Sequence, residues 1–261
     1  MAVAKKTEIQ RIITDAVEEL KRLRKVNEKE FRDVPPVLWF GDIGSPKPKV
    51  LVISANPSRP DQPVGNPRIP SATGWNLEKV DIDRLENDYN RYFFNNPATK
   101  WFGANPADKS KKEDRQGRIE DFLNGMDASF YGDFAYQAIH IDILPFSTET
   151  SFTQIDSEIM AIDGVPQWIN THVQELIRLI EPKLIIINGT SNFNYFNLCV
   201  NVGAQPYRAI QCDKTSIWHA NPQPDMPPII GISMNMGSYC FNRREELVNL
   251  GKEVKKQLKF K

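Results

Sequence analysis

Cysteine is scarce. The 261 residues contain three, Cys199, Cys212 and Cys240. An odd number at wide spacing argues against a disulfide framework, and the lack of a C-x-x-C pair argues against a zinc ribbon. A four-cysteine iron–sulfur cluster cannot form within one such chain. Histidine is equally scarce: His140, His172 and His219 are the only three, and they show no metal-ligand spacing. A site with no metal and no cofactor is expected. No apolar run reaches the roughly 18 residues that a membrane-spanning helix needs. The N-terminal stretch MAVAKKTEIQ lacks the apolar core of a signal peptide. A cytoplasmic protein with no membrane partner is expected. Formal net charge is zero, unlike the strong positive excess of non-specific nucleic-acid binders. There is no G-x-G-x-x-G and no G-x-x-x-x-G-K-[ST], which disfavours a nucleotide-binding α/β protein.

What is present is an ordinary globular composition, 40% hydrophobic and 25% charged. The length suits one large α/β domain. Charge is uneven along it. Residues 109–118 hold five basic and two acidic side chains, and residues 243–261 hold seven and three. Either segment alone reads as solvated surface. Together with Arg59 and Arg68 they could form a phosphate-facing surface.

Residues 7–31 predict an amphipathic helix, with Ile9, Ile12, Ile13, Val17 and Leu20 at helical spacing. We take residues 1–34 as a helical extension and 35–261 as the main domain. Four short apolar runs predict buried strands: Val50–Ile53, Ala138–Leu144, Leu184–Ile187 and Pro228–Ser233. Helices are expected at 117–126, 166–181, near 191–200 and at 242–258. Strands alternating with helices predict an α/β fold: a three-layer α/β/α arrangement around a mainly parallel four-stranded sheet. Ligands in such sheets bind beyond the carboxyl ends of the strands. That rule singles out the loops 54–59, 144–150 and 234–240.

Asn56-Pro57 follows the first strand. Pro57 biases Asn56 away from the α region, so a polar side chain is held at a strand end; the simpler reading is an Asn-Pro turn. Residues 93–102 gather four aromatics around a Pro turn, as a satellite core or as a stacking face for a base. Asn235-Met236-Gly237-Ser238-Tyr239 follows the last strand. Glycine there permits close backbone approach, and Tyr239 or Phe241 could wedge into a duplex; the same residues suit a helix start.

In order, these pieces resemble the uracil-DNA glycosylase superfamily, most closely its mismatch-specific uracil/thymine branch. Ser54-Ala55-Asn56-Pro57-Ser58 resembles the branch's Gly-x-Asn-Pro-Gly, with serines for two glycines. Phe94-Asn95-Asn96-Pro97-Ala98-Thr99-Lys100-Trp101-Phe102 is similar to its aromatic–Pro turn running into Arg-Phe-Trp. Asn235-Met236-Gly237-Ser238 with Arg243 and Arg244 is similar to its Asn-Pro-Ser-Gly before an Arg-bearing helix. Residues 182–189 resemble the superfamily's penultimate strand and turn, ending at Asn188.

The resemblance implies a monomeric DNA glycosylase whose partner is DNA. It implies that Asn56 holds the attacking water and that Phe94 stacks on the extruded base. Asn235 and its loop, with Gly237, Ser238, Arg59, Arg243 and Arg244, would contact the base, sugar or phosphates, and Tyr239 would fill the vacated stack. Asp142 stands where many members place an Asn that reads uracil. An ionised Asp only accepts hydrogen bonds, so it favours the exocyclic amine of cytosine; Asp142 as a turn cap or an Arg partner is the alternative. Ordinary cytosine must be spared, so a hypermodified cytosine of viral DNA, excised in antiviral defence, is the expected target. Loops 58–75 and 205–226 would accommodate its 5-substituent. The alternatives are a uracil/thymine mismatch repair enzyme and a non-catalytic nucleic-acid-binding module.

Overall fold

The computed structural model describes residues 2–55, 69–96, 98–99, 102–104, 118–132, 134–189, 191–192, 194–196, 208–210, 217–220, 226–233 and 244–259. The first helix, α1 (Ala2–Val26), is shorter at its C-terminal end than its periodicity predicts. At its end Asn27 forms a turn in which its own side chain accepts from the Glu30 amide at 3.3 Å, a local bond that competes with helix. Ile9, Ile12, Ile13, Ala16, Leu20 and Leu23 are buried in the same core as the sheet. The apolar face of α1 therefore packs into the same core as the sheet.

The sheet contains β1 (Lys49–Ser54), β4 (Ala128–Ser129), β5 (Tyr136–Asp142), β6 (Leu184–Asn188), β7 (Arg208–Ile210), β8 (Ile217–Ala220) and β9 (Ile229–Ile232). A separate two-stranded sheet pairs β2 (Ala98–Thr99) with β3 (Gly103–Ala104). The main sheet runs β4-β5-β1-β6-β9-β8-β7. Its first five strands are parallel, and β8 and β7 close one edge antiparallel. The fold is α/β with a mostly parallel sheet, as expected, but the described residues alone place seven strands in it instead of four. The four apolar runs are the central strands, packed on both faces and hence continuously apolar. The added strands are edges: β4 has two residues, and β7 and β8 come from the 205–226 segment, which thereby extends the sheet. β5 also ends two residues before the apolar run does.

The remaining helices are α2 (Ile82–Asn90), α3 (Tyr92–Asn95), α4 (Ile119–Gly125), α5 (Phe152–Met160), α6 (Val165–Ile180) and α7 (Arg244–Leu258). Helices α2, α3 and α5 are absent from the sequence expectation. Asp81 caps α2, its side chain accepting from the Arg84 amide, and only Leu85, Asp88 and Tyr89 of that helix are buried. So narrow an apolar stripe gives little periodic signal.

Residues 30–40 form a strap along the segment that leaves β5. Phe40 and His140 exchange both backbone bonds, at 2.8 and 3.0 Å. The Val37 amide donates to Pro145, the Arg32 amide to Ser147 and the Glu149 amide to the Glu30 carbonyl. The Thr150 amide then donates to the Glu30 carboxylate at 2.7 Å. This ties the exit loop of β5 to the main body before it can wander.

Candidate active site

The carboxyl ends of the parallel strands put three polar residues on one level. Ser54 pairs in register with Asp142 across β1 and β5. Ile53 pairs with Ile187 across β1 and β6, so Asn188 stands level with Ser54 on the other side. Neighbours in register point to the same face. Asp142, Ser54 and Asn188 therefore form a row across three adjacent strands. Asp142 and Asn188 are buried. The pairing continues beyond the strands: Ile143 donates to the Ser54 carbonyl at 3.0 Å and Leu144 to the Ala55 carbonyl at 2.9 Å. The exits of β1 and β5 thus travel together as far as Ala55 and Leu144. The Asn188 carbonyl accepts from the Asn192 side chain, and the Gly189 amide donates to Ile232 at 2.9 Å, tying the β6 exit to β9.

His140 sits two residues before Asp142 on the same strand and face. Its ring stacks on Phe40 at 5.7 Å with an interplanar angle of 18°, and Phe102 meets it edge-on at 4.8 Å. Nε2 lies 3.7 Å from Asp142 Oδ1. Nδ1 is buried with no hydrogen-bond partner. Burial in this cage pushes the imidazole down to about 3, so the ring is neutral near neutral pH. Phe102 also packs on Phe93, which stacks on Phe130 at 4.4 Å. The aromatic segment is therefore brought against the strand row through Phe93 and Phe102. Phe94 itself is 75% exposed, with the Arg91 guanidinium 4.7 Å from its ring. It is an available stacking surface, whereas its neighbours form the core.

Arg244 opens α7, and its Nε donates to Asp121 Oδ1 at 2.8 Å. Asp121 also accepts from the Arg118 amide, capping α4. Arg244 thus locks α7 to α4, a role that spacing along the sequence does not display. Lys255 reaches Asp127 at 3.4 Å, so part of the basic C-terminal face is engaged within the molecule. Asn56, Pro57, Ser58, Arg59, Asn235, Gly237, Ser238, Tyr239 and Arg243 lie outside the described residues. The sequence singled out neither His140 nor Phe40 for this site, whereas Phe102 belongs to the aromatic segment expected to form a satellite core or a stacking face. The signal for His140 was a polar residue alternating with Asp142 inside an apolar run.

A second buried acid lies at the β4 edge. Glu120 of α4 accepts from the Ser129 hydroxyl at 2.5 Å and the Phe130 amide at 3.1 Å. Burial outweighs these donors and pushes its carboxyl up to about 8. Among the described residues no three His, Cys, Asp or Glu side chains cluster to hold a metal. Among the described residues no helix is long and apolar enough to cross a membrane.

The arrangement can hold a planar, hydrogen-bonding ligand edge against the strand ends. Asp142 supplies acceptors, and the Ser54 hydroxyl and Asn188 amide are bifunctional. No protein-family model matches this sequence, and no curated protein matches it either.

Proposed function

We propose that this chain is a monofunctional DNA glycosylase on a three-layer α/β/α fold of the uracil-DNA glycosylase type. It flips a pyrimidine out of DNA and hydrolyses the N-glycosidic bond, leaving an abasic site. The observation that carries this reading is the level row Asp142, Ser54 and Asn188 at the mouth where the Asn56 segment leaves β1. Strand ends of parallel sheets are the usual ligand sites, and the resemblance assigns base contacts to these same positions.

The chemistry is carried by Asn56 and Asn235. The C1′–N1 bond breaks, its electron pair leaves with the base, water adds its oxygen to C1′, and the proton that water loses ends on the departed base anion. Asn56 does not titrate, so it orients this water by its side-chain carbonyl and does not abstract the proton as a general base. Positioning and electrostatic stabilisation of the departing base then supply the rate enhancement. Base extrusion costs a few kcal/mol, offset by contacts to the sugar-phosphate from Arg59, Ser238 and the basic segments.

Asp142 selects the base. Its carboxylate accepts from the exocyclic amine of cytosine and has nothing to donate to uracil O4. The proposed target is a hypermodified cytosine, hydroxymethylated or glucosylated, in viral DNA. Sparing unmodified cytosine is then a requirement of antiviral defence.

The test is a set of duplexes carrying uracil, a thymine mismatch, cytosine, hydroxymethylcytosine or glucosylated hydroxymethylcytosine, scored for abasic sites. Release from the modified cytosines alone is expected. Release of uracil alone would return the protein to repair. No release from any duplex would leave a binding module. Asp142→Asn should shift the preference toward uracil by about tenfold or more, the worth of one good base-edge contact.

A further inference from the structure

We infer that His140 is a positioning residue that sets base selectivity by presenting Nε2–H to the Asp142 carboxylate. The inference rests on the glycosylase reading for its substrate, but its structural half stands alone.

The tautomer follows from the surroundings. The neutral ring has one N–H donor and one lone pair. Nδ1 is buried beside Phe40 and Phe102 without a partner. A lone pair on Nε2 would face the Asp142 carboxyl oxygens and be repelled by them, whereas an N–H there is attracted to them. The donor therefore belongs on Nε2, the nitrogen that faces Asp142 Oδ1 at 3.7 Å. At that distance the contact is electrostatic and not yet a hydrogen bond. Sites of this kind tighten when the ligand arrives and water leaves.

The ring is packed between two aromatic neighbours. Phe40 stacks on one side and Phe102 meets it edge-on. Its backbone is held by both bonds to Phe40. A fixed N–H beneath the carboxylate keeps Asp142 as an acceptor and limits its rotamers. That is what amine-over-carbonyl selection requires, because a carboxyl group that takes up a proton can also donate to a carbonyl oxygen.

Two variants separate positioning from packing. His140→Phe keeps a ring between Phe40 and Phe102 but removes the donor. His140→Gln places an amide N–H where Nε2 stands. We expect His140→Phe to lower the ratio of kcat/KM on modified cytosine to that on uracil by about tenfold or more, and His140→Gln to restore most of it. If both variants slow all substrates in proportion and leave the ratio unchanged, His140 is only structural. Long-range nitrogen–proton correlation spectra of the wild-type ring test the same point without any substrate. The neutral Nε2–H form is expected, and an Nδ1–H form or an imidazolium overturns the inference. Wild-type protein that releases no base from any duplex would sink the glycosylase reading, while the spectrum would still decide the His140–Asp142 geometry.

Discussion

Three buried titratable groups give the fold a pH optimum that can be worked out from their positions. His140 lies in its aromatic cage, and His172 stacks on Trp168 at 4.6 Å. Burial lowers both from 6.5 to about 3. As pH falls below 6.5 the unfolded imidazoles take up protons that the folded ones refuse. Stability is therefore lost toward acid, by about 1.4 kcal/mol per pH unit for each group. Glu120 has the opposite sense. Its carboxyl is raised by burial from 4.5 to about 8. Above 4.5 the unfolded carboxyl releases its proton and the folded one keeps it. Stability is therefore lost as pH rises toward 8, again by about 1.4 kcal/mol per unit. Between 4.5 and 6.5 the two histidines outweigh the glutamate, and above 6.5 the glutamate acts alone. The maximum falls near pH 6.5, with about 2 kcal/mol lost by pH 8. Urea unfolding followed by tryptophan fluorescence from pH 5 to 8.5 measures this directly. Glu120→Gln should flatten the alkaline limb and steepen the loss of stability from pH 6.5 down to 4.5, where the two histidines then act unopposed. If the variant keeps the wild-type decline above pH 6.5, Glu120 is not the protonated group and the burial reasoning fails.

Other outcomes are equally specific. A Cβ on Gly251 would stand 2.1 Å from the Phe122 carbonyl oxygen, and one on Gly125 would stand 2.1 Å from that of Val248. Gly251→Ala should therefore force α4 and α7 apart, costing about 1–3 kcal/mol or more in a denaturant titration; an unchanged midpoint would contradict this packing. Asn56→Ala should abolish base release while sparing DNA affinity, and retention of most of the rate in single-turnover assays would remove Asn56 from the chemistry. Phe94→Ala should leave stability within about 0.5 kcal/mol, since the ring is exposed, yet weaken DNA binding measured by anisotropy.

The central sheet was legible in the sequence because strands covered on both faces must be continuously apolar. Val50–Ile53, Leu184–Ile187 and the runs around residues 139 and 230 needed no other information. The edges were not legible. Ala128–Ser129 is too short to make a pattern, and Arg208–Ile210 and Ile217–Ala220 are specified mainly by the strand they extend. The periodicity of residues 9–23 announced a buried face but not its partner. Only packing showed that this face belongs to the core of the whole domain.

For the site, the residue types were readable and their relations were not. Asp142 stood out as a carboxylate inside an apolar run, and Asn56 as a polar residue after a buried strand. That Asp142 stands level with Ser54 and Asn188 depends on strand register, which is set by cross-strand bonds between segments far apart in the chain. The same holds for Arg244, engaged by Asp121, and for His140, whose cage is assembled from Phe40 and Phe102. Local sequence determines which residues can be buried or can form a strand. Only the tertiary structure decides which polar groups are brought together, because that choice is made by long-range pairing and packing.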